Sequence, residues 1–252
     1  MQALILAAGF GKRLQPITNN IPKSLVEING TPLLVNALEC LSGRNITEVL
    51  IVVGDKKDII INRIGHSYNE MKIIYIENPI YSKTNNVYSL WLAQNYVHDD
   101  LIMLECDLFY HRELIDIILS GKASCNILVS PFNKLTMNGT VVNITENNQV
   151  TSLITKQKQK NVFDHTNLMK TVNIYFYKRE FILNKFFPAI DLFIKTQGVN
   201  SYYELILGSL IYYGNSDISA ICINESKWCE IDNIEDLELA KKKFNIHNNK
   251  QK

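Results

Sequence analysis

The stretch from Met1 to Leu25 constrains this chain more than any other. An uncharged apolar run from Ala3 through Leu4-Ile5-Leu6-Ala7 to Ala8 breaks at Gly9. A short run of this kind, bounded by glycine, predicts a strand buried on both faces, and such strands belong to parallel sheets covered by helices. The strand leads directly into Gly9-Phe10-Gly11-Lys12-Arg13. Two glycines let the backbone approach a ligand and turn its N–H groups toward it, and cations in the same loop suit a polyanion. Pro22 then stiffens the chain ahead of a further cation, Lys23. One strand, one anion loop and one pinned lysine point to a nucleoside triphosphate site. The dinucleotide fingerprint needs a glycine where Leu14 stands, and the P-loop needs Gly-Lys-Ser/Thr where Gly11-Lys12-Arg13 stands, so neither describes this loop.

The pattern continues along the chain. Strands are expected at 49–53, 73–76 and 101–104, and helices at 33–41, 57–68 and 86–96. The alternation predicts an α/β fold, a doubly wound, Rossmann-like, mostly parallel sheet. Strand-rich segments at 126–130, 139–144, 149–154 and 171–177 predict an antiparallel extension, and 234–244 a last helix. No Pro- or Gly-rich linker interrupts the chain, so a single domain is expected over 1–245, with a frayed polar tail at 246–252. The aromatic residues from Phe181 to Phe193 are expected to pack, as is Cys106.

Composition removes several classes of function. With 26 basic and 25 acidic residues the net charge is +1, and no basic stripe supports a nucleic-acid ligand. The run Lys156-x-Lys158-x-Lys160 is expected to be a solvated loop. Cysteines at 40, 106, 125, 222 and 229 form no C-x-x-C pair, and the five histidines are scattered. Met1-Gln2 leads straight into the strand without a basic leader, and no apolar run reaches 18 residues. A reduced, cytoplasmic protein with no signal peptide and no membrane span is therefore expected.

Ligands of doubly wound sheets sit beyond the carboxyl ends of the strands. The loops after Ala8 and Ile76 and the acid Asp107 fall there. Asp107 ends an apolar strand, where an unpaired carboxylate is costly and a divalent cation would compensate it. Trp228-Cys229-Glu230-Ile231-Asp232 brings a second set of carboxylates before the last helix. Mg²⁺ takes few protein carboxylates and completes its shell with phosphate and water, which suits Asp107 with Asp232. A turn residue and a helix cap are the alternative roles. Glu105 and Glu230 share strand faces with these aspartates, as supporting partners or as surface groups. Asn78, Asn85, Asn86 and Ser89 could read a pyrimidine edge or could form turns and caps.

The segment Leu6-Ala7-Ala8-Gly9-x-Gly11-x-Arg13-Leu14-x-Pro16 with Pro22-Lys23-Ser24-Leu25 resembles the signature of the sugar-1-phosphate nucleotidylyltransferase family, and Gly30-Thr31-Pro32-Leu33-Leu34 continues the match. Asn78-Pro79 and Thr84 to Leu90 resemble its CTP-dependent branch, which acts on small phosphorylated or phosphonate compounds. The resemblance covers roughly 1–245 and is loosest from 110 to 200. It implies transfer of CMP from CTP to phosphoglutamine, or otherwise to phosphocholine or 2-aminoethylphosphonate, with release of pyrophosphate. It implies Arg13 and Lys23 as catalytic groups and Leu6, Ala7, Ala8, Gly9, Gly11 and Lys12 at the nucleotide. It also implies Mg²⁺ on Asp107 and Asp232. Lys156 falls where the family carries an acceptor-side lysine, although Thr155 stands in place of the usual glutamate. Tyr81, Lys83, Tyr88, Tyr202 and Glu204 are further candidates for the acceptor. A UTP- or dTTP-dependent sugar enzyme remains open, although 78–90 lacks the glutamine-and-glycine pattern of those members. A non-catalytic nucleotide-binding subunit or interaction module remains open too.

Overall fold

The computed structural model describes residues 1–133, 137–156, 159, 166–214 and 217–245. Lys158, Lys160 and the tail 246–252 lie outside the described residues. The first half alternates as expected. In order come β1 (Gln2–Ala7), the small hairpin β2 (Glu27–Ile28) and β3 (Thr31–Pro32), α1 (Leu33–Leu41), β4 (Glu48–Val53) and α2 (Lys57–Ile64). Next are β5 (Ser67–Tyr68), β6 (Met71–Glu77), α3 (Asn86–Leu92), β7 (Leu101–Glu105), β8 (Leu108–Tyr110) and α4 (Glu113–Leu119). The second half comprises β9 (Cys125–Pro131), β10 (Val141–Ile144), β11 (Val150–Ile154) and β12 (Met169–Tyr177). It continues with helices α5 (Arg179–Phe181), α6 (Phe187–Gln197) and α7 (Tyr203–Tyr212), then β13 (Ile218–Cys222), β14 (Trp228–Glu230) and α8 (Ile234–Lys243).

Strands β7, β1, β4 and β6 run parallel at the centre of a ten-stranded sheet. Antiparallel β12 flanks β7, and β9 and β10 in turn pair with β12, which is the expected extension. Alternation on β1 feeds two cores. Ala3, Ile5 and Ala7 pack with α1 and α4 on one face, and Leu4, Leu6 and Ala8 pack with α3 and the aromatic helices on the other. Phe181, Phe186 and Phe187 are buried in the second core, as expected, and Cys106 is buried in the first.

Two expectations change in detail, and one strand is added. The helix expected over 57–68 stops at Ile64, because Gly65 caps it at φ 79° and Ser67–Tyr68 becomes an edge strand. The helix expected to Tyr96 tightens into a 3₁₀ turn at Ala93–Asn95. Strand β13 was not foreseen; it adds a parallel edge next to β9.

Candidate active site

The carboxyl ends of β1, β6 and β7 open into a cavity of about 660 Å³. Its first wall is the glycine loop. Gly11 adopts the left-handed conformation at φ 62°, and a Cβ there would stand 2.9 Å from the Lys23 Cβ. Gly11 is thus required twice, for its backbone angle and for the close passage of Lys23. A Cβ at Gly9 would meet nothing within 4 Å. The steric reason for Gly9 therefore does not lie in the protein itself.

Lys23 follows extended Pro22 and opens a 3₁₀ turn. Its ammonium lies 2.8 Å from Asp107 Oδ2 and 3.1 Å from Asp232 Oδ1. The Arg13 guanidinium lies 2.8 Å from the same Asp232 oxygen. These two aspartates are far apart in sequence and are joined by a two-stranded ribbon. Glu230 pairs with Leu108, and the Ile231 N–H donates to the Asp107 carbonyl at 2.8 Å. Asn233 then caps α8 through a capping box with Asp236, so Asp232 itself is free of the capping role that was its alternative. Burial works against the Lys23 charge, yet Asp107 and Asp232 outweigh it and hold its pKa above the ordinary lysine value. Burial also works against Asp232, and Lys23 and Arg13 hold its carboxyl below the ordinary range.

Asp107 Oδ1 is buried and accepts no hydrogen bond from the described residues. One oxygen from each of Asp107, Glu230 and Asp232 lies within 4.8 Å of the other two. An orphaned acceptor among all-oxygen donors is the setting a hard divalent cation needs. Glu230 is therefore part of the cluster and not a surface group.

The opposite end of the cavity is built differently. Asn86 Nδ2 donates to Glu105 Oε1 at 3.2 Å and to Glu204 Oε2 at 3.3 Å, and its carbonyl accepts from the Tyr203 N–H at 3.0 Å. Tyr203 Oη donates to Glu105 at 2.9 Å, and Thr140 Oγ1 to Glu204 at 3.3 Å. Among the described residues no Lys, Arg or His forms an ion pair with Glu105 or Glu204. Burial pushes the Glu204 carboxyl up; burial and then the charges of Asp107, Glu204 and Glu230 push Glu105 well up. Between the two ends sits Lys170, only 1% exposed, with its ammonium 3.2 Å from Glu230 Oε2 and 2.6 Å from the Thr171 carbonyl. The Thr155 hydroxyl is buried, lines the cavity and has no hydrogen-bond partner among the described residues.

Leu6, Ala8, Gly9, Gly11, Lys12, Arg13, Lys23, Asp107 and Asp232 all line this cavity. So do Asn78, Tyr81, Asn85, Asn86, Ser89, Lys156, Tyr202 and Glu204. Three candidate residues do not line it. Ala7 points to the other face of β1, into the α1 core. Lys83 is exposed, and Tyr88 stacks on Trp91 at 5.4 Å. The candidate base-reading groups are occupied inside the protein. Asn78 Nδ2 donates to Thr84 and Ser89, and its Oδ1 accepts from the Ile80 N–H. Asn85 Oδ1 caps α3. Tyr81 stands on the glycine-loop side, tilted on Phe10 at 5.0 Å and close to Gly54. Asn138, Gly139, Thr140, Lys170 and Asn173 were not foreseen. The one available signal was a lone lysine and an asparagine inside an otherwise apolar strand, and Asn173 sits at φ 60° where β12 bulges.

The family model described as nucleotidyl transferase matches residues 2–243, and the chain belongs to that family. It is a nucleotidyltransferase by family and by fold. Its relatives include a CMP-5'-(3-aminopropyl)phosphonate synthase of Streptomyces rubellomurinus, 29% identical over 245 residues. That match takes in 97% of this chain and only 39% of the relative's length. A CTP:phosphoglutamine cytidylyltransferase of Campylobacter jejuni is 27% identical over 256 residues, covering 95% of this chain and 98% of that one. The solved CTP:phosphocholine cytidylyltransferase of Streptococcus pneumoniae shares the fold, with a TM-score of 0.76 at 21% identity over 96% of this chain and 97% of that one. The expected CTP-dependent branch is thus represented among the relatives. No described helix is long and apolar enough to cross a membrane.

Proposed function

We propose that this protein transfers CMP from CTP to a small phosphorylated acceptor and releases pyrophosphate. The observation that carries the reading is the Lys23 ammonium, fixed between Asp107 and Asp232 beside a glycine loop with space for a ligand. An ionised phosphate oxygen of the acceptor attacks the α-phosphorus of CTP. A new P–O bond forms, the bond to the β-phosphate breaks, and pyrophosphate leaves with its electron pair. The nucleophile carries its own charge, so no general base is required, and catalysis is alignment plus charge neutralisation. The Gly9–Gly11 backbone and Arg13 hold the β- and γ-phosphates. Lys23 neutralises the charge that gathers where α-phosphate and acceptor meet. Asp107 and Asp232, with Glu230 in reach, fit Mg²⁺, which when bound supplies Lewis-acid stabilisation of phosphate oxygens. Asn78, Asn85 and Ser89 shape the wall against which the pyrimidine lies.

For the acceptor we favour phosphoglutamine, then an aminoalkylphosphonate or phosphocholine. Glu105 and Glu204 lack a cation of their own and can receive an ammonium group, while Lys156 and Lys170 can meet a carboxylate. Phosphoglutamine offers both charges. The full-length match to the phosphoglutamine relative supports this order.

Initial rates of pyrophosphate release test the reading, with each nucleoside triphosphate crossed against phosphoglutamine, 2-aminoethylphosphonate, phosphocholine and glucose 1-phosphate. CTP with phosphoglutamine is expected to turn over fastest. Equal turnover of UTP would remove the cytidylyl assignment, and preference for glucose 1-phosphate would move the protein to the sugar enzymes. No release with any pair would leave a nucleotide binder.

A further inference from the structure

The Lys23 ammonium occupies one oxygen of each of the two carboxylates, Asp107 and Asp232, that are assigned to a divalent cation. It touches Asp107 Oδ2 at 2.8 Å and Asp232 Oδ1 at 3.1 Å, inside a cluster whose three carboxylate oxygens span no more than 4.8 Å. A Mg²⁺ ion bonds its oxygens at about 2.1 Å. Such an ion and the ammonium would be separated by only a few ångströms, and charges of +2 and +1 repel strongly at that range. With the ammonium on Asp107 Oδ2 and Asp232 Oδ1, a divalent cation on the remaining carboxylate oxygens would bind more weakly.

The stem of Lys23 is held by packing, whereas its head is held by the two ion pairs alone. Pro22 and the 3₁₀ turn hold its backbone, and Gly11 packs against its Cβ. A triphosphate seated on the adjoining Gly9–Arg13 loop would offer the ammonium oxygens of its α-phosphate as alternative partners. A triphosphate therefore supplies what the displaced lysine needs, at the moment when the carboxylates need a new cation.

We infer that Lys23 is an internal counter-ion that closes Asp107 and Asp232 to a free divalent cation until a nucleotide draws its ammonium away. Cation and triphosphate then enter together, and each raises the affinity for the other, since coupling of two ligands is reciprocal. The inference rests on the metal assignment of the preceding section and is independent of which base or acceptor is used.

The test is binding of Mn²⁺ alone, without nucleotide, followed through the electron paramagnetic resonance signal of the free ion. Wild type is expected to bind weakly. Lys23→Met and Lys23→Gln remove the charge and should bind about 5- to 150-fold more tightly, the common range for coupled sites. Lys23→Arg keeps the charge and should stay weak. Equal affinity in wild type and both neutral variants overturns the counter-ion role. A gain that survives in Lys23→Met/Asp232→Asn places the ion elsewhere and overturns the metal assignment instead. Unmasked carboxylates repel, so thermal melts are run beside each titration. A neutral variant that is unfolded alone should be refolded by Mn²⁺, and failure of Mn²⁺ to refold it also overturns the inference.

Discussion

The two ends of the cavity solve the same problem in opposite ways. At the nucleotide end the enclosed charges have partners of opposite sign: Lys23 pairs with Asp107 and Asp232, and the exposed Arg13 adds a second cation on Asp232. At the acceptor end Glu105 and Glu204 are held by neutral donors from Asn86, Tyr203 and Thr140. Neutral donors fix the position of a carboxylate without cancelling its charge. The paired end is stable empty and must exchange partners to bind. The unpaired end is strained empty and gains its missing charge from a ligand. Buried charge left without a counter-ion costs stability, and functional sites are where proteins accept that cost.

The largest effects should come from breaking the paired end. Asp107→Ala and Asp232→Ala should each abolish pyrophosphate release. The double variant should be little worse than either single, because residues that hold one ion act as a unit. Lys23→Ala should lower turnover by roughly 10²–10³, the scale for one preorganised charge. A Mg²⁺ titration of the initial rate beside a thermal melt decides the aspartates. A variant that melts early but keeps normal rate and normal Mg²⁺ dependence does not belong to the site.

Lys170 joins the two ends, and its removal should act on stability first. The side chain is almost wholly buried against Glu230 and lies 5.7 Å from the Trp228 ring centre. Lys170→Met leaves a partly buried Glu230 without its cation, which should cost no more than the lower end of the about 3–5 kcal/mol typical of a fully buried pair. Lys170→Met/Glu230→Gln removes both charges and should recover much of that loss in chemical denaturation. No recovery in the double variant would mean that the two residues are not energetically coupled.

How much of this was legible in the sequence follows the same division. The paired end was read because each of its parts sits at a punctuation mark: glycines after a strand, a lysine after a proline, an aspartate closing an apolar run. The family resemblance takes in Ala7 with Leu6 and Ala8, although the period of two in a strand turns its side chain to the other face. The acceptor end was mostly hidden. Lys170 looks like an outward residue of a half-exposed strand, and only the pairing of β12 with β9 and β10 and the ribbon from β14 bury it. Asn78 and Asn86 were recognised as a polar cluster. Their use inside the protein is not legible: Asn78 is taken up by near neighbours, Ile80, Thr84 and Ser89, and the partners Tyr203 and Glu204 of Asn86 lie more than a hundred positions away. Helix 57–68 was overextended by hydrophobic period alone, which cannot weigh the left-handed Gly65 that ends it.

A milder change sharpens the acceptor end. Glu204 is 5% exposed, and burial raises its pKa above the ordinary 4.5. Between 4.5 and its raised value the native state holds a proton that the unfolded chain has lost. The stability associated with Glu204 is therefore complete below 4.5 and is lost as pH rises through the native pKa. Glu204→Gln cannot ionise. Its melting temperature should match wild type near pH 4.5 and exceed it increasingly at higher pH. The KM for an ammonium-bearing acceptor should rise about 10- to 100-fold, as expected for losing a charged hydrogen bond, with the KM for CTP unchanged. A stability gap independent of pH would show that the carboxylate charge is not what strains this end.

The smallest effect is expected at Lys83, and it tests where the acceptor end stops. Lys83 closes a short 3₁₀ turn, is exposed and does not line the cavity. Its neighbour in sequence Tyr81 does line it, but on the glycine-loop side, against Phe10. Lys156, by contrast, reaches the cavity wall and donates to Asn138 at 3.0 Å. Lys83 has no side-chain partner among the described residues, and removing such an exposed lysine should change stability by no more than about 0.5 kcal/mol. Lys83→Ala should accordingly leave the acceptor KM within about twofold of wild type, whereas Lys156→Ala should raise it clearly for a carboxylate-bearing acceptor such as phosphoglutamine. Rate measurements on both variants with phosphoglutamine and with phosphocholine separate the cases. If Lys83→Ala raised the KM as much as Lys156→Ala, the acceptor would have to reach across the cavity to the Tyr81 turn, and the division into a paired nucleotide end and an unpaired acceptor end would fail.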